Sequence, residues 1–126
     1  MNADLKGSLQ KINKYWHLFE HKGERMTKEN KQTIEYNGKV YKLPFNIPSY
    51  FLTTEKVIAE NHFSGEPIEV PQFVKSVRDG ILYYEYNASI TDRNYGDGSS
   101  EMWDKVRKGL NWFRQYFAKE YMVLLD

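Results

Sequence analysis

Apolar residues near the N-terminus recur at alternating spacings of four and three, the period of one face of an α-helix. The stripe consists of Leu5, Leu9, Ile12, Trp16 and Phe19. Lys22 and Gly23 follow it, and glycine is the residue best suited to the left-handed position that ends a helix. The pattern predicts an amphipathic helix from about residue 4 to residue 21.

A second stripe with the same spacing covers the C-terminal part of the chain and predicts a last helix. Its members are Trp103, Val106, Leu110, Phe113, Phe117 and Leu124. Ser99 or Ser100 can cap the start of this helix. Gly109 lies inside the stripe, where glycine costs roughly 1 kcal/mol relative to alanine, and a close approach by another backbone would explain its presence.

Residues 33–43 alternate with the period of a β-strand on both sides of Asn37 and Gly38, a pair that tolerates the positive φ angles of a type I′ turn. The segment therefore predicts a two-residue hairpin in which Tyr36 lies opposite Lys39. In this register Ile34, Tyr36, Tyr41 and Leu43 share one face, and Glu35 and Lys42 point the other way.

Residues 73–90 show a similar alternation around Asp79 and Gly80, which we interpret as the turn of a second hairpin. The apolar face of that hairpin would contain Phe73, Val77, Leu82, Tyr84, Tyr86, Ala88 and Ile90. Residues 45–69 are less regular: a short helix from Thr53 to Asn61 is favoured, although Val57 and Ile58 would also suit a strand. Residues 64–67 predict a turn.

These elements predict one α+β domain spanning residues 1–126. Its antiparallel sheet would contain about four strands in two hairpins, with the N-terminal and C-terminal amphipathic helices packed on one face. The other face of the sheet would carry Glu35, Lys42, Lys75 or Tyr83 and would remain open to a partner.

The composition narrows the classes of function. The chain of 126 residues has 18 Lys and Arg against 17 Asp and Glu, so its formal net charge of +1 gives no global bias toward a polyanion. Cysteine is absent, which excludes a disulfide framework, a thiolate nucleophile and Cys-based metal ligation. Without a run of about 18 apolar residues or a signal peptide, we expect a soluble, cytoplasmic protein with no membrane partner.

His17, Glu20 and His21 match the H-x-x-E-H pattern, in which two histidines on one helix face bind zinc and the glutamate activates water. Phe19 belongs to the core stripe, however, and no third ligand follows at a recognisable spacing. We therefore expect two surface histidines near a helix C-terminus, and no metal or cofactor. A metal-dependent hydrolase remains an alternative.

Residues 91–100 form a polar, glycine-rich segment that resembles the opening of a calcium loop. It departs from the EF-hand pattern because its twelfth position would be Trp103 instead of glutamate. The exposed backbone amides of Gly96 and Gly98 would suit an anion, although Asp97 opposes that reading. Whether the segment binds an ion is left open.

A nucleic-acid-binding module is another alternative, since such modules combine a basic groove with exposed aromatic rings. The candidate residues on the predicted open sheet face are Tyr36, Lys39, Tyr41, Lys42 and Lys75. The consensus of RNA-recognition sheets is absent from the chain.

No nucleophile elbow or P-loop occurs, so the sequence favours a non-enzymatic protein-interaction domain. Such a domain would act as a small regulator, inhibitor or immunity-type factor, and its partner would be another protein, with self-association as a further possibility. Tyr and Trp dominate many protein–protein interfaces. The predicted partner-binding residues are Tyr83, Asp92, Arg93, Tyr95 and Asp97.

Overall fold

The computed structural model describes residues 3–21, 32–95 and 101–125, which form four helices and two antiparallel two-stranded sheets. The chain is therefore an α+β protein, as predicted. In chain order the elements are α1 (Ala3–His21), β1 (Thr33–Tyr36), β2 (Lys39–Lys42), a 3-10 turn (Ser49–Phe51), β3 (Lys56–Glu60), β4 (Pro67–Pro71), α2 (Gln72–Tyr95), α3 (Glu101–Tyr116) and α4 (Ala118–Leu124).

The N-terminal stripe forms α1 as predicted, and Ile12, Trp16 and Phe19 are buried on its inner face. The C-terminal stripe forms two helices instead of one. The helix breaks at Phe117, whose φ of −137° and ψ of 54° lie outside the helical region. Leu124 is nevertheless buried, because α4 continues the apolar stripe after Phe117.

The first hairpin is confirmed in position and register. Tyr36 pairs with Lys39 and Ile34 pairs with Tyr41. The turn residues Asn37 and Gly38 have φ angles of 52° and 79°, the positive values that a type I′ turn requires. The hairpin packs its half-buried face against the core.

The predicted second hairpin is wrong, because residues 72–95 form one continuous helix. Asp79 and Gly80 lie inside that helix and make no turn. A Cβ on Gly80 would lie 2.5 Å from Cε1 of Phe45 and 2.7 Å from the Trp16 ring. Close packing at this position therefore requires glycine. The alternation of residues around Gly80 does not reflect a strand, because α2 is buried on most of its circumference.

The helix favoured for residues 53–61 is also wrong, and the alternative strand is correct. Residues 56–60 form β3, which pairs with β4 in the register that places Val57 opposite Val70. The connection between them spans residues 61–66, so it overlaps the turn predicted at residues 64–67 but begins earlier and ends before Pro67, and Gly65 has a φ of 77°. Ala59 and Val70 on the inner face are buried.

Helix α2, and not a sheet, is the centre of the molecule: α1 and α3 both pack on it, and so do β3 and β4. The two hairpins form separate sheets. The open sheet face predicted to carry Lys75 and Tyr83 is wrong, because both residues lie on α2. Trp16 lies at the heart of the core, with ring centroids at 5.9 Å from Phe45 and 5.8 Å from Tyr84. Gly109 faces side chains of this core and not another backbone, since its Cβ would lie 2.6 Å from Cγ1 of Ile81.

Candidate functional site

A groove of about 320 Å³ lies between α1 and β3, with the first half of α2 as its floor. Its apolar lining comes from Ile12 and Trp16 of α1 and from Phe51 of the 3-10 turn. Two large side chains at the groove are unusually exposed: Tyr15 at 54% and Ile58 at 57%. A groove whose lining includes exposed aromatic and aliphatic side chains is a typical docking surface.

The floor of the groove holds three charged side chains in one network. The Nζ of Lys75 donates to Oδ2 of Asp79 at 2.9 Å, and the Nε of Arg78 donates to Oδ1 of the same carboxylate at 2.8 Å. Lys75 and Asp79 are four residues apart on α2, so they lie on one face of the helix. The network follows directly from the helical spacing of these residues.

Arg78 is only 5% exposed, which is rare for arginine. Its Nη1 donates to the main-chain carbonyl of Glu60 at the end of β3, so the side chain ties α2 to that strand. A buried guanidinium is tolerated only when it is paired and hydrogen-bonded. Arg78 meets both conditions and still lines the groove.

The charge of the groove is slightly positive. Lys11, Lys75 and Arg78 contribute three positive charges, and Glu60 and Asp79 contribute two negative charges. Asp79 is shared between two of the cations. The groove therefore combines an apolar wall with an excess of one positive charge, an arrangement suited to a ligand with an apolar body and an acidic group.

The same arginine acts on a histidine in the turn after β3. Burial lowers the pKa of His62 below its ordinary value, and the charge of Arg78 lowers it further, while the carboxylate of Glu85 acts in the opposite direction. The imidazole ring also contacts Phe63, with 5.0 Å between the ring centroids. His62 is therefore held toward its neutral form.

A second, more open cavity of about 290 Å³ lies where α1 meets the middle of α2. Asn13, His17 and Leu18 line it from α1, and Tyr83 and Asn87 line it from α2. The structure places His17 at this cavity, whereas the side chains of Glu20 and His21 lie outside the described residues. In the part of the chain that the structure describes, no group of three His, Asp or Glu is placed to hold a metal ion.

The five predicted partner-binding residues are not on one exposed surface. Tyr83 is 3% exposed and stacks on Trp16 at 6.0 Å, so it is a core residue of α2. Asp92 is half-buried and its Oδ2 accepts a hydrogen bond from Trp103 Nε1 at 2.7 Å, whereas Arg93 is exposed. Tyr95 ends α2 with an undescribed side chain, and Asp97 lies outside the described residues. Their role in binding stays a prediction.

The residues predicted for nucleic-acid binding are split over separate places. Tyr36, Lys39 and Tyr41 lie together on the first hairpin, where the Nζ of Lys39 is 5.2 Å from the centre of the Tyr41 ring. Both tyrosine rings pack inward, for example against Phe73 of α2. Lys42 is exposed at the end of β2 in the same hairpin, whereas Lys75 lies on α2 in the groove floor. Nucleic-acid binding stays a prediction.

Sequence reasoning missed Asp79 as a site residue because it was assigned to a turn, and it placed Arg78 in the same predicted hairpin instead of on a helix. The signal that could have found the helix is a stripe with spacings of four, four, three and four. It consists of Phe73, Val77, Ile81, Tyr84 and Ala88. On that helix Lys75 and Asp79 form an oppositely charged pair one turn apart, next to Arg78.

In comparisons with known proteins, the chain matches no family model, no curated protein and no solved structure. None of the helices in the described ranges combines the length and the apolar character needed to cross a membrane.

Proposed function

We propose that this chain is a protein-interaction domain that binds a partner protein through the groove between α1 and β3. The observation that carries the proposal is the buried Arg78, paired with Asp79 in the floor of a groove whose walls carry apolar side chains. Burying a charge costs free energy. Arg78 ties α2 to β3, and its place at the groove floor also turns its charge toward a ligand in the groove.

The exposed side chains at the groove support the same function. Tyr15 and Ile58 expose more than half of their surface beside this charged floor. Aromatic side chains carry much of the energy of protein–protein interfaces. The groove therefore supplies apolar area for affinity and charges for orientation.

A domain of this kind fits a small cytoplasmic regulator, inhibitor or immunity-type factor, whose activity consists of occupying a surface on another protein. Self-association is a second outcome of the same surface, since a groove and an exposed tyrosine on one copy can face another copy. No step of chemistry is required of the groove residues in either case.

The test is affinity capture from native extract with nuclease treatment, using the wild-type chain and two surface variants. Tyr15→Ser changes the groove, and Met122→Ser changes an apolar residue of similar exposure on α4, outside the groove lining. The proposal expects a stoichiometric, nuclease-resistant protein that is lost with Tyr15→Ser and kept with Met122→Ser. A bound protein that both variants retain, or the absence of any bound protein, would contradict it.

A further inference from the structure

The hydrogen bonds of β3 show which of its main-chain groups face away from β4. The amide of Asn61 donates to the carbonyl of Glu66 at 2.9 Å, and the amide of Gln72 donates to the carbonyl of Glu55 at 2.7 Å. Both bonds extend the antiparallel register of the two strands. Because bonded positions alternate along an antiparallel strand, the odd-numbered residues of β3 bond to β4 and the even-numbered residues face the outer edge.

The carbonyl of Glu60 supports this assignment independently. It accepts its hydrogen bond from the side chain of Arg78, which approaches from outside the sheet. The main-chain groups of Lys56 and Ile58 lie on the same outer edge. No strand in the described ranges pairs with that edge, since β3 has β4 as its one neighbour there.

The two outer edges of this sheet differ in their proline content, since β4 contains two prolines and β3 contains none. Pro67 and Pro71 in β4 lie opposite Glu60 and Lys56, at positions whose amides would face away from β3. Proline has no N–H to offer, so the outer edge of β4 is protected against further pairing. β3 contains no proline, so the main-chain N–H and C=O groups of Lys56 and Ile58 on its outer edge can still form hydrogen bonds with another strand. Ile58 also has an exposed β-branched side chain, a type common in strands.

The outer edge of β3 borders the groove. Ile58 and Glu60 line the groove from the strand, and Lys11 lines it from α1. The floor beneath is Lys75 and Arg78 of α2. A chain laid along β3 would thus have its main chain against the strand edge and alternate side chains over the groove.

From this geometry we propose that an extended, acidic segment of a partner protein adds to the outer edge of β3 as a third strand. One carboxylate of the segment faces the cations of the groove floor, and the apolar residue next on that face contacts Ile12 and Phe51. This inference rests on the proposed function and names its occupant. Strand addition supplies affinity through the main chain, and the groove supplies selectivity.

The net positive charge of the groove favours an acidic over a basic partner segment. The groove has three cations against two carboxylates, and one of those carboxylates, Asp79, already bonds to Lys75 and Arg78. An incoming carboxylate joins this network, whereas an incoming lysine would add to the excess of one positive charge in the groove and would meet Lys75 and Arg78 at the floor. Electrostatic complementarity of this kind fixes the register of a partner.

The substitution Ile58→Pro tests strand addition directly. It removes an amide that faces the outer edge and adds a ring that blocks an incoming strand, while the bonds between β3 and β4 remain. Ile58→Ala is the matched control, because it removes the same side chain and keeps the amide. Circular dichroism and thermal unfolding of both variants check that the fold is retained.

The probe is a phage-displayed library of random linear peptides selected on the full-length chain. We expect selected peptides with an acidic residue flanked at alternate positions by apolar residues. Their affinity should fall about tenfold or more for Ile58→Pro and less than about threefold for Ile58→Ala, since one main-chain hydrogen bond and the approach of the strand are lost only in the former. Methylation of single amide nitrogens in a selected peptide should weaken binding at alternate positions.

The possible outcomes separate this inference from the proposed function. Peptides that lose affinity for Tyr15→Ser but bind Ile58→Ala and Ile58→Pro equally would overturn strand addition and leave the groove as the binding site. Selected peptides without an acidic residue would overturn the assignment of the partner's charge. Failure to select any peptide would overturn the addition of an extended segment and leave the proposed function to the capture experiment. Peptides insensitive to Tyr15→Ser would overturn the groove as the binding site.

Discussion

Oδ1 of Asp79 accepts from Arg78 at 2.8 Å, while Oδ2 of the same carboxylate accepts from Lys75 at 2.9 Å. Asp79 therefore neutralises a guanidinium that is almost completely buried. This one carboxylate therefore contributes both to the stability of α2 and to the net charge of the groove.

Asp79→Ala should destabilise the protein by about 3 kcal/mol, because it leaves the buried charge of Arg78 without its partner. The measurement is the free energy of unfolding in urea. Asp104→Ala is the matched control: Asp104 also pairs with an arginine on its own helix, Arg107, but both side chains are more than 60% exposed. That variant should lose less than about 0.5 kcal/mol. Equal losses for the two variants would show that burial of the Arg78 pair contributes nothing.

Gly80→Ala should destabilise the protein although alanine is the better helix former. Alanine gains about 1 kcal/mol in helix propensity. Its Cβ, however, would lie 2.5 Å from Phe45 and 2.7 Å from Trp16, whose rings are held by the core. We expect a net loss of about 1–3 kcal/mol from overpacking. Gln115→Ala on the exposed face of α3 is the control and should change stability by less than about 0.5 kcal/mol. A stabilised Gly80→Ala would mean that the rings can move away.

The predicted and observed folds agree where the local pattern has one solution. Asn37 and Gly38 fix the first hairpin because few other residues accept two positive φ angles in succession. The pattern fails where tertiary packing decides. Gly80 serves close packing inside α2 and not a turn, and the same residues satisfy periods of both two and nearly four. Burial around most of a helix removes the polar face by which a helix is recognised.

The groove could not be predicted, because it depends on the relative placement of three elements that are distant in sequence. Tyr15, Ile58 and Arg78 come from α1, β3 and α2 and meet only once these have packed. The predicted partner-binding residues combined the segment after residue 91 with Tyr83 of the predicted sheet face, and packing buries Tyr83 in the core. Asp92 reaches across to Trp103 of α3, so part of that segment serves to join helices.

The hydrogen bond between Asp92 and Trp103 should couple α2 to α3. Asp92→Ala leaves the Trp103 indole N–H without its acceptor, and such a loss costs about 1–3 kcal/mol for a buried donor. A double-mutant cycle with Trp103→Phe should give a coupling energy of about 1 kcal/mol between the two side chains. The free energies of unfolding of the four proteins provide the measurement.

Arg93→Ala is the control for this cycle, because Arg93 is exposed one residue further along α2. It should leave the unfolding free energy nearly unchanged. Additive effects of Asp92→Ala and Trp103→Phe, within about 0.3 kcal/mol, would show that the bond does not join the helices. If Arg93→Ala weakened binding of a captured partner without changing stability, it would support the predicted role of this segment in binding.

His62 should make the protein less stable as the pH falls. Burial first, and then the charge of Arg78, lower the pKa of His62 below its ordinary value of 6.5. Between the lowered pKa of the folded protein and the ordinary value, the unfolded chain binds a proton that the folded chain does not, so lowering the pH favours unfolding. The stabilisation is present above pH 6.5 and is lost as the pH falls toward the lowered pKa of the folded protein. His62→Gln should therefore show a smaller decrease in Tm between about pH 8 and about pH 5 than the wild-type chain. The exposed His17 provides the comparison through His17→Gln, and a decrease in Tm that is identical in the wild-type chain and His62→Gln would contradict the prediction.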